Sequence, residues 1–144
     1  MPQFSFEKTS TASRSNVYKI FSDYENYQKT SPEFFPSVRI RSVRDNVAVV
    51  EEHLNLGDDE LVIMAKHVTD EPVLHDVFVI GGDAKGTHIQ EQFIEMSNGT
   101  KILVNVDLKL KGKMKIGSMF SKNRYQQNYE KIIDNFVKIA ENLV

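Results

Sequence analysis

What constrains this chain most is the spacing of its apolar residues, which follows strands separated by turn signals between Ser37 and Lys111 and a helical period of three and four in the segments flanking them. The strand region is cut by turn signals at Arg44-Asp45-Asn46, Gly57-Asp58-Asp59, Asp70-Glu71-Pro72, Gly81 to Gly86 and Asn98-Gly99. These cuts predict six antiparallel strands. Asn98-Gly99 is the sharpest of them, since both residues tolerate the positive φ of a type I′ hairpin turn. After Gly112 the helical period takes over: Tyr125, Tyr129, Ile132, Ile133, Phe136, Ala140 and Leu143 lie on one face of a long helix. Upstream, Gln3 to Thr9 alternates with Phe4 and Phe6 on one side and predicts a first strand. Ser13 is placed as the N-cap of a helix carrying Val17, Ile20, Phe21 and Tyr24. A second short helix within Tyr24 to Lys29 is ended by Ser31-Pro32, because a residue preceding proline disfavours the helical region.

Length and composition narrow the function classes. A chain of 144 residues reads as a single domain over residues 1–144, large enough to enclose a ligand cavity. It has no cysteine, which excludes disulfides, thiolate metal sites and cysteine nucleophiles. A net charge of -2 is too neutral for nucleic-acid binding driven by counterion release, so no nucleic-acid partner is expected. The longest apolar run, Leu61 to Ala65, is far short of the ~20 residues of a membrane span. Met1 to Ser10 has no signal-peptide layout, and the expectation is a cytoplasmic protein without a transmembrane segment.

One strand, two short helices, six strands and a long helix make an α+β order, in which one curved seven-stranded antiparallel sheet wraps the last helix. This order, with Asp23-Tyr24-Glu25-Asn26-Tyr27 closing the first helices and Phe35-Pro36-Ser37-Val38 opening the second strand, resembles the Bet v 1-like (START/SRPBCC) superfamily. Its polyketide cyclase/dehydrase and coenzyme Q-binding branch is the nearest in style. The resemblance implies a helix-grip fold with a cavity between sheet and C-terminal helix that takes a lipid, quinone, polyketide or other hydrophobic molecule. It implies no single activity, so the site must decide.

The simplest hairpin loops, across Asp58-Asp59, Asp70-Glu71, the glycine loop and Asn98-Gly99, give a testable register. They place Leu54, Ile63, Phe78, Ile89 and Leu108 in one row of the concave wall. Leu56, Leu61, Ile80, Thr87 and Leu110 form a second, and Val50, His67, Leu74, Phe93 and Val104 a third. Between the first and third falls an acidic row, Glu52, Ala65, Asp76, Glu91 and Val106, with His67 one diagonal step away. Carboxylates in apolar surroundings cost on the order of several kcal/mol each unless compensated by a cation, a polar ligand group, water or protonation. A bulge in one strand would instead turn some of them to solvent, and His67 taken alone is better explained by a hydrogen bond within the wall.

The ligand-binding candidates are therefore Glu52, His67, Asp76, Glu91, Phe78, Phe93, Tyr125 and Tyr129, the two tyrosines being core residues whose hydroxyls could orient a polar head group. His53, His75 and His88 fall on the outer face, and Phe34 and Phe35 are portal candidates. Lys109, Lys111, Lys113 and Lys115 read as a solvated strand face. The glycine loop has no following helix, so it is not a phosphate cradle. On the convex side Val49, Val68, Val73, Ile94 and Leu103 form an apolar row that suggests a homodimer.

Three functions compete. One is a binding or carrier protein for a small hydrophobic molecule, its polar end read by Glu52, Asp76, Glu91 and His67. Another is a cyclase, dehydratase or hydrolase using the same carboxylates and His67 as acid and base. The third is a divalent-metal site built from the same residues. No motif calls for an organic cofactor, and no Ser/His/Asp triad or HExxH is present.

Overall fold

The computed structural model describes residues 3–57, 59–109 and 113–143, with side chains of the last helix from Arg124 onward. Seven strands, β1 (Gln3–Ser10), β2 (Ser37–Arg44), β3 (Val47–Leu56), β4 (Asp59–Asp70), β5 (Leu74–Gly82), β6 (His88–Met96) and β7 (Gly99–Asp107), form one antiparallel sheet. Their order is β1-β7-β6-β5-β4-β3-β2. The first two strands in sequence thus lie at opposite edges, and the chain between them must cross the whole sheet. It does so through helix α1 (Arg14–Phe21), a 3-10 turn (Tyr24–Asn26) and helix α2 (Tyr27–Thr30). Helix α3 (Lys113–Glu141) lies in the grip of the sheet.

Local chemistry accounts for these elements. The Ser13 hydroxyl accepts the Asn16 N–H at 3.2 Å and caps α1, leaving Val17, Tyr18, Ile20 and Phe21 buried. Phe21 wedges between the layers, its ring 5.3 Å from Phe93 of β6 and 5.3 Å from Phe136 of α3. On α3 the expected face is the buried one: Tyr125, Ile132, Ile133, Phe136 and Ala140 are buried and Tyr129 packs against the core. Phe35 is not a portal residue. It is buried and stacks on Tyr27 and Phe136, while Phe34 is half-buried.

The hairpin registers depart from the simplest loops in an instructive way. β3 pairs with β4 as Leu54↔Leu61, two residues from the expected register, which keeps every side chain on its face. At the next turn Pro72 has no N–H to give a ladder, so the loop takes Glu71, Pro72 and Val73 and pairing resumes at Asp70↔Leu74. That odd shift turns β5 over: His75, Val77 and Val79 point inward, and Asp76 and Phe78 point outward. Ile80 sits where the pairing slips between Met64 and Ala65 and is exposed. The β5–β6 register, Phe78↔His88 instead of Phe78↔Ile89, is odd again and restores β6, so Glu91 and Phe93 face inward.

The last hairpin turns on Ser97 and Asn98, with Met96↔Gly99 as its first pair. Gly99 is required for another reason: at φ 138 its missing Cβ would lie 1.9 Å from the Ser10 carbonyl oxygen. The convex apolar row does not form, because Val49 faces Lys66, Val68 faces Asp76, Leu103 faces Gln92 and Ile94 faces Lys101. Lys113 and Lys115 belong to α3 and not to a strand, while Leu110 and Lys111 lie outside the described residues, as does Asp58.

Candidate functional site

The inner face of the sheet carries a continuous chain of buried ionisable side chains. Glu52 Oε2 lies 2.6 Å from His67 Nε2, His67 Nδ1 lies 2.8 Å from His75 Nε2, and His75 Nδ1 lies 2.6 Å from Glu91 Oε1. The four residues stand on β3, β4, β5 and β6, and none is more than 3% exposed. His75 and Glu91 are direct cross-strand partners, whereas Glu52 is opposite Ile63 and His67 opposite Ala48. Glu52 and His67 therefore reach toward each other over the row of Val50 and Ala65, where the small Ala65 side chain leaves room. The two imidazole planes differ by 13°, and the Tyr24 ring covers His67 at 4.8 Å.

The contacts call for at least three protons. Each joins two atoms that bear lone pairs, so each holds one proton. With those three protons and none on Glu52 Oε1 or Glu91 Oε2, two carboxylates and two imidazoles carry one net negative charge. Every ring nitrogen of both histidines is used, and moving a proton across any contact shifts the charge without losing a hydrogen bond. Among the described residues neither carboxylate is paired with a lysine or arginine.

Beside this relay is a small cavity of about 40 Å³ walled only by apolar surface. It is lined by Leu54, Leu56, Leu61, Ile63, Val79 and Ile89 of the sheet, Val106 and Leu108, and Tyr125 and Tyr129 of α3. Leu54 is two residues from Glu52 and Ile89 two from Glu91 on the same faces, so the relay forms the next rows inward. Tyr129 joins the two: its ring lines the cavity and its hydroxyl lies 3.5 Å from Glu91 Oε2, a long contact. Burial first, then the charges of Glu91 and Glu52, push the Tyr129 and Tyr27 hydroxyls well above the ordinary phenol range, so both stay protonated. Tyr27 donates to the Phe21 carbonyl. Tyr125 is also pushed up, by burial and then by Asp59.

At the other end of the cavity the β3–β4 hairpin is clasped to α3, with Arg124 2.9 Å from Asp59 and Asn128 against Gly57. The open space is far smaller than the roughly 300–1,000 Å³ of a pocket for a drug-sized molecule, so a larger guest needs side chains of the wall to give way. A wider groove of about 620 Å³ runs along β1, β7 and β6 past Gln3, Ser5, His88, Gln90, Asn105 and Asp107. It is open and mostly polar, and the relay is not part of it.

Of the residues expected from the sequence, the structure brings Glu52, His67, Glu91 and Tyr129 together and lines the cavity with Tyr125. Phe93 is buried but packs edge-on against Tyr18 and Phe21, apart from the cavity. Asp76 and Phe78 are corrections: Asp76 holds His88 at 2.8 Å on the outer face, and Phe78 stacks on His88 with Lys66 over its ring. His75 replaces Asp76 inside. The metal set does not form, since Asp76 is on the other face and His67 has no free ring nitrogen. No group of three or more His, Cys, Asp or Glu able to hold a metal occurs among the described residues. No helix of the described residues is long and apolar enough to cross a membrane.

Comparison with known proteins bears on this geometry. Residues 10–137 match the model of the family described as polyketide cyclase / dehydrase and lipid transport. No match is found among curated proteins. Solved structures share the fold at low identity. A START superfamily protein from Mycobacterium smegmatis is 15% identical with a TM-score of 0.84, covering 99% of each chain. A protein from Thermus thermophilus is 13% identical with a TM-score of 0.84, covering 96% of this chain and 97% of its own. The Zhui aromatase/cyclase of a Streptomyces species is 12% identical with a TM-score of 0.77, covering 96% and 93%.

Proposed function

This chain belongs to the polyketide cyclase / dehydrase and lipid transport family, and on that premise we propose that it binds a small, mostly apolar molecule between the sheet and α3. The observation that carries the reading is the wholly apolar wall of the cavity ending at Tyr129, whose hydroxyl reaches toward the buried relay. The apolar body of the guest replaces side-chain contacts between Tyr125, Leu56, Leu108 and their neighbours, and its polar end meets Tyr129 and Glu91. Extraction of the purified chain into organic solvent, followed by mass spectrometry, tests this. A stoichiometric apolar molecule, or uptake of a hydrophobic fluorescent probe by the emptied chain, is expected; neither would sink the reading.

A second reading, acid/base chemistry of the cyclase or dehydratase kind, is favoured by one specific feature. The relay connects two carboxyl groups through two imidazoles, so a proton taken up at Glu91 can be balanced by displacement along the chain to Glu52. Turnover by the parent that is lost in Glu91→Gln while probe uptake persists would favour it over simple carriage.

A further inference from the structure

The charge and the donor requirement of the relay say what kind of polar end the cavity accepts. Glu91 uses Oε1 for His75 Nδ1 at 2.6 Å, but its Oε2 has only the Tyr129 hydroxyl at 3.5 Å, too long to satisfy a carboxylate oxygen. That oxygen therefore retains acceptor capacity behind Tyr129, whose ring lines the apolar cavity. The relay also carries one net negative charge in its proton-satisfied state, and none of the described lysines or arginines is paired with it. The side chains of α1, α2 and the turn between them that cover this end, Tyr18, Phe21, Tyr24 and Tyr27, are aromatic and add no cation. Apolar surroundings make the missing counter-charge more costly than it would be in water.

We infer that the site prefers an apolar molecule ending in a protonated amine, its ammonium group seated against Glu91 Oε2 and the Tyr129 hydroxyl oxygen. The inference rests on the apolar-ligand reading above and deepens it. An ammonium supplies donors to both oxygens and neutralises the relay; an alcohol supplies one donor and no charge; a carboxylate brings a second negative charge beside Glu91. The ranking amine, alcohol, carboxylate is thus set by the protein, since one hydrocarbon tail can be common to all.

Calorimetric titration of the emptied chain at pH 7 with 1-decylamine, 1-decanol and decanoate, each below its aggregation concentration, tests the ranking. Decylamine is expected to bind about tenfold or more tighter than decanol, and decanoate weaker than decanol. Glu91→Gln, which keeps an oxygen for His75, is expected to weaken the amine more than the alcohol and so bring the amine to within about threefold of the alcohol. Should that variant fail to fold, the ranking in the parent chain decides by itself. Decanoate equal to or better than decylamine, or a full amine preference surviving in Glu91→Gln, overturns the inference and leaves the apolar-ligand reading standing. Binding of none of the three removes that reading and the inference with it.

Discussion

Replacing His75 by leucine removes the middle of the relay while roughly keeping its volume. His75 is 1% exposed and makes two contacts, 2.8 Å to His67 and 2.6 Å to Glu91. Its loss leaves His67 Nδ1 and Glu91 Oε1 without partners in a space closed to water. An orphaned buried polar group costs about 1–3 kcal/mol, and breaking a buried charged pair from one side about 3–5 kcal/mol. We therefore expect His75→Leu to lower stability by about 3–5 kcal/mol. For a chain of this size that corresponds to a Tm lower by about 10–17 °C. Urea unfolding followed by far-UV circular dichroism reads the change as a shift of midpoint at constant slope. The double variant His75→Leu/Glu91→Leu removes the orphaned carboxylate as well, so it should be less destabilised than the sum of the single changes by about 1–3 kcal/mol. A single variant within about 0.5 kcal/mol of the parent, or strict additivity in the double, would refute the claim that these groups form one buried network.

Asp76→Ala changes only an outer-face contact to a His88 that is 37% exposed, so it should cost less than about 1 kcal/mol and leave probe uptake unaltered; a large loss of either would return Asp76 to the interior. Gly99→Ala places a methyl against the Ser10 carbonyl at a φ of 138, and should destabilise by more than about 2 kcal/mol in the same urea assay; a neutral result would reject the close approach. A hydrogen bond from Lys8 holds Glu130 below the usual carboxylate range, and the Thr11 N–H does the same for Glu141, each outweighing the opposite push of burial. Their folded pKa values lie below the unfolded value near about 4.3, so their stabilisation is present above that pH and is lost as pH falls through the folded values. Stability should therefore fall with acidification through about pH 4, less steeply in Glu141→Gln; an identical acid slope in that variant would contradict the assignment.

The element order was legible because period changes are long-range averages: the six-strand run and the α3 face survive errors of a residue or two at any turn. Side-chain direction in one strand is not averaged. In β5 both candidate faces are apolar, with Leu74, Phe78 and Ile80 on one side and Val77 and Val79 on the other, and the bulkier set is the outer one. Pattern alone therefore favours the wrong face. The available signal was Pro72, which cannot enter a ladder beside Thr69 and so forces a longer loop. His75 was missed for this reason, and Glu91 was still placed inside because a second odd shift cancelled the first. The reach of Glu52 to His67 over Ala65 depends on side-chain lean, which no hairpin rule contains.

Four histidines are distributed so that nitrogen NMR of their rings can locate the guest: His67 and His75 in the relay, His53 and His88 on the outer face. Titrating the emptied, nitrogen-labelled chain with 1-decylamine should move the ring resonances of His67 and His75, with their N–H protons slow to exchange, and leave His53 and His88 in place. Movement of His88 alone, with the relay rings unchanged at saturation, would put the ligand in the outer groove and contradict the account.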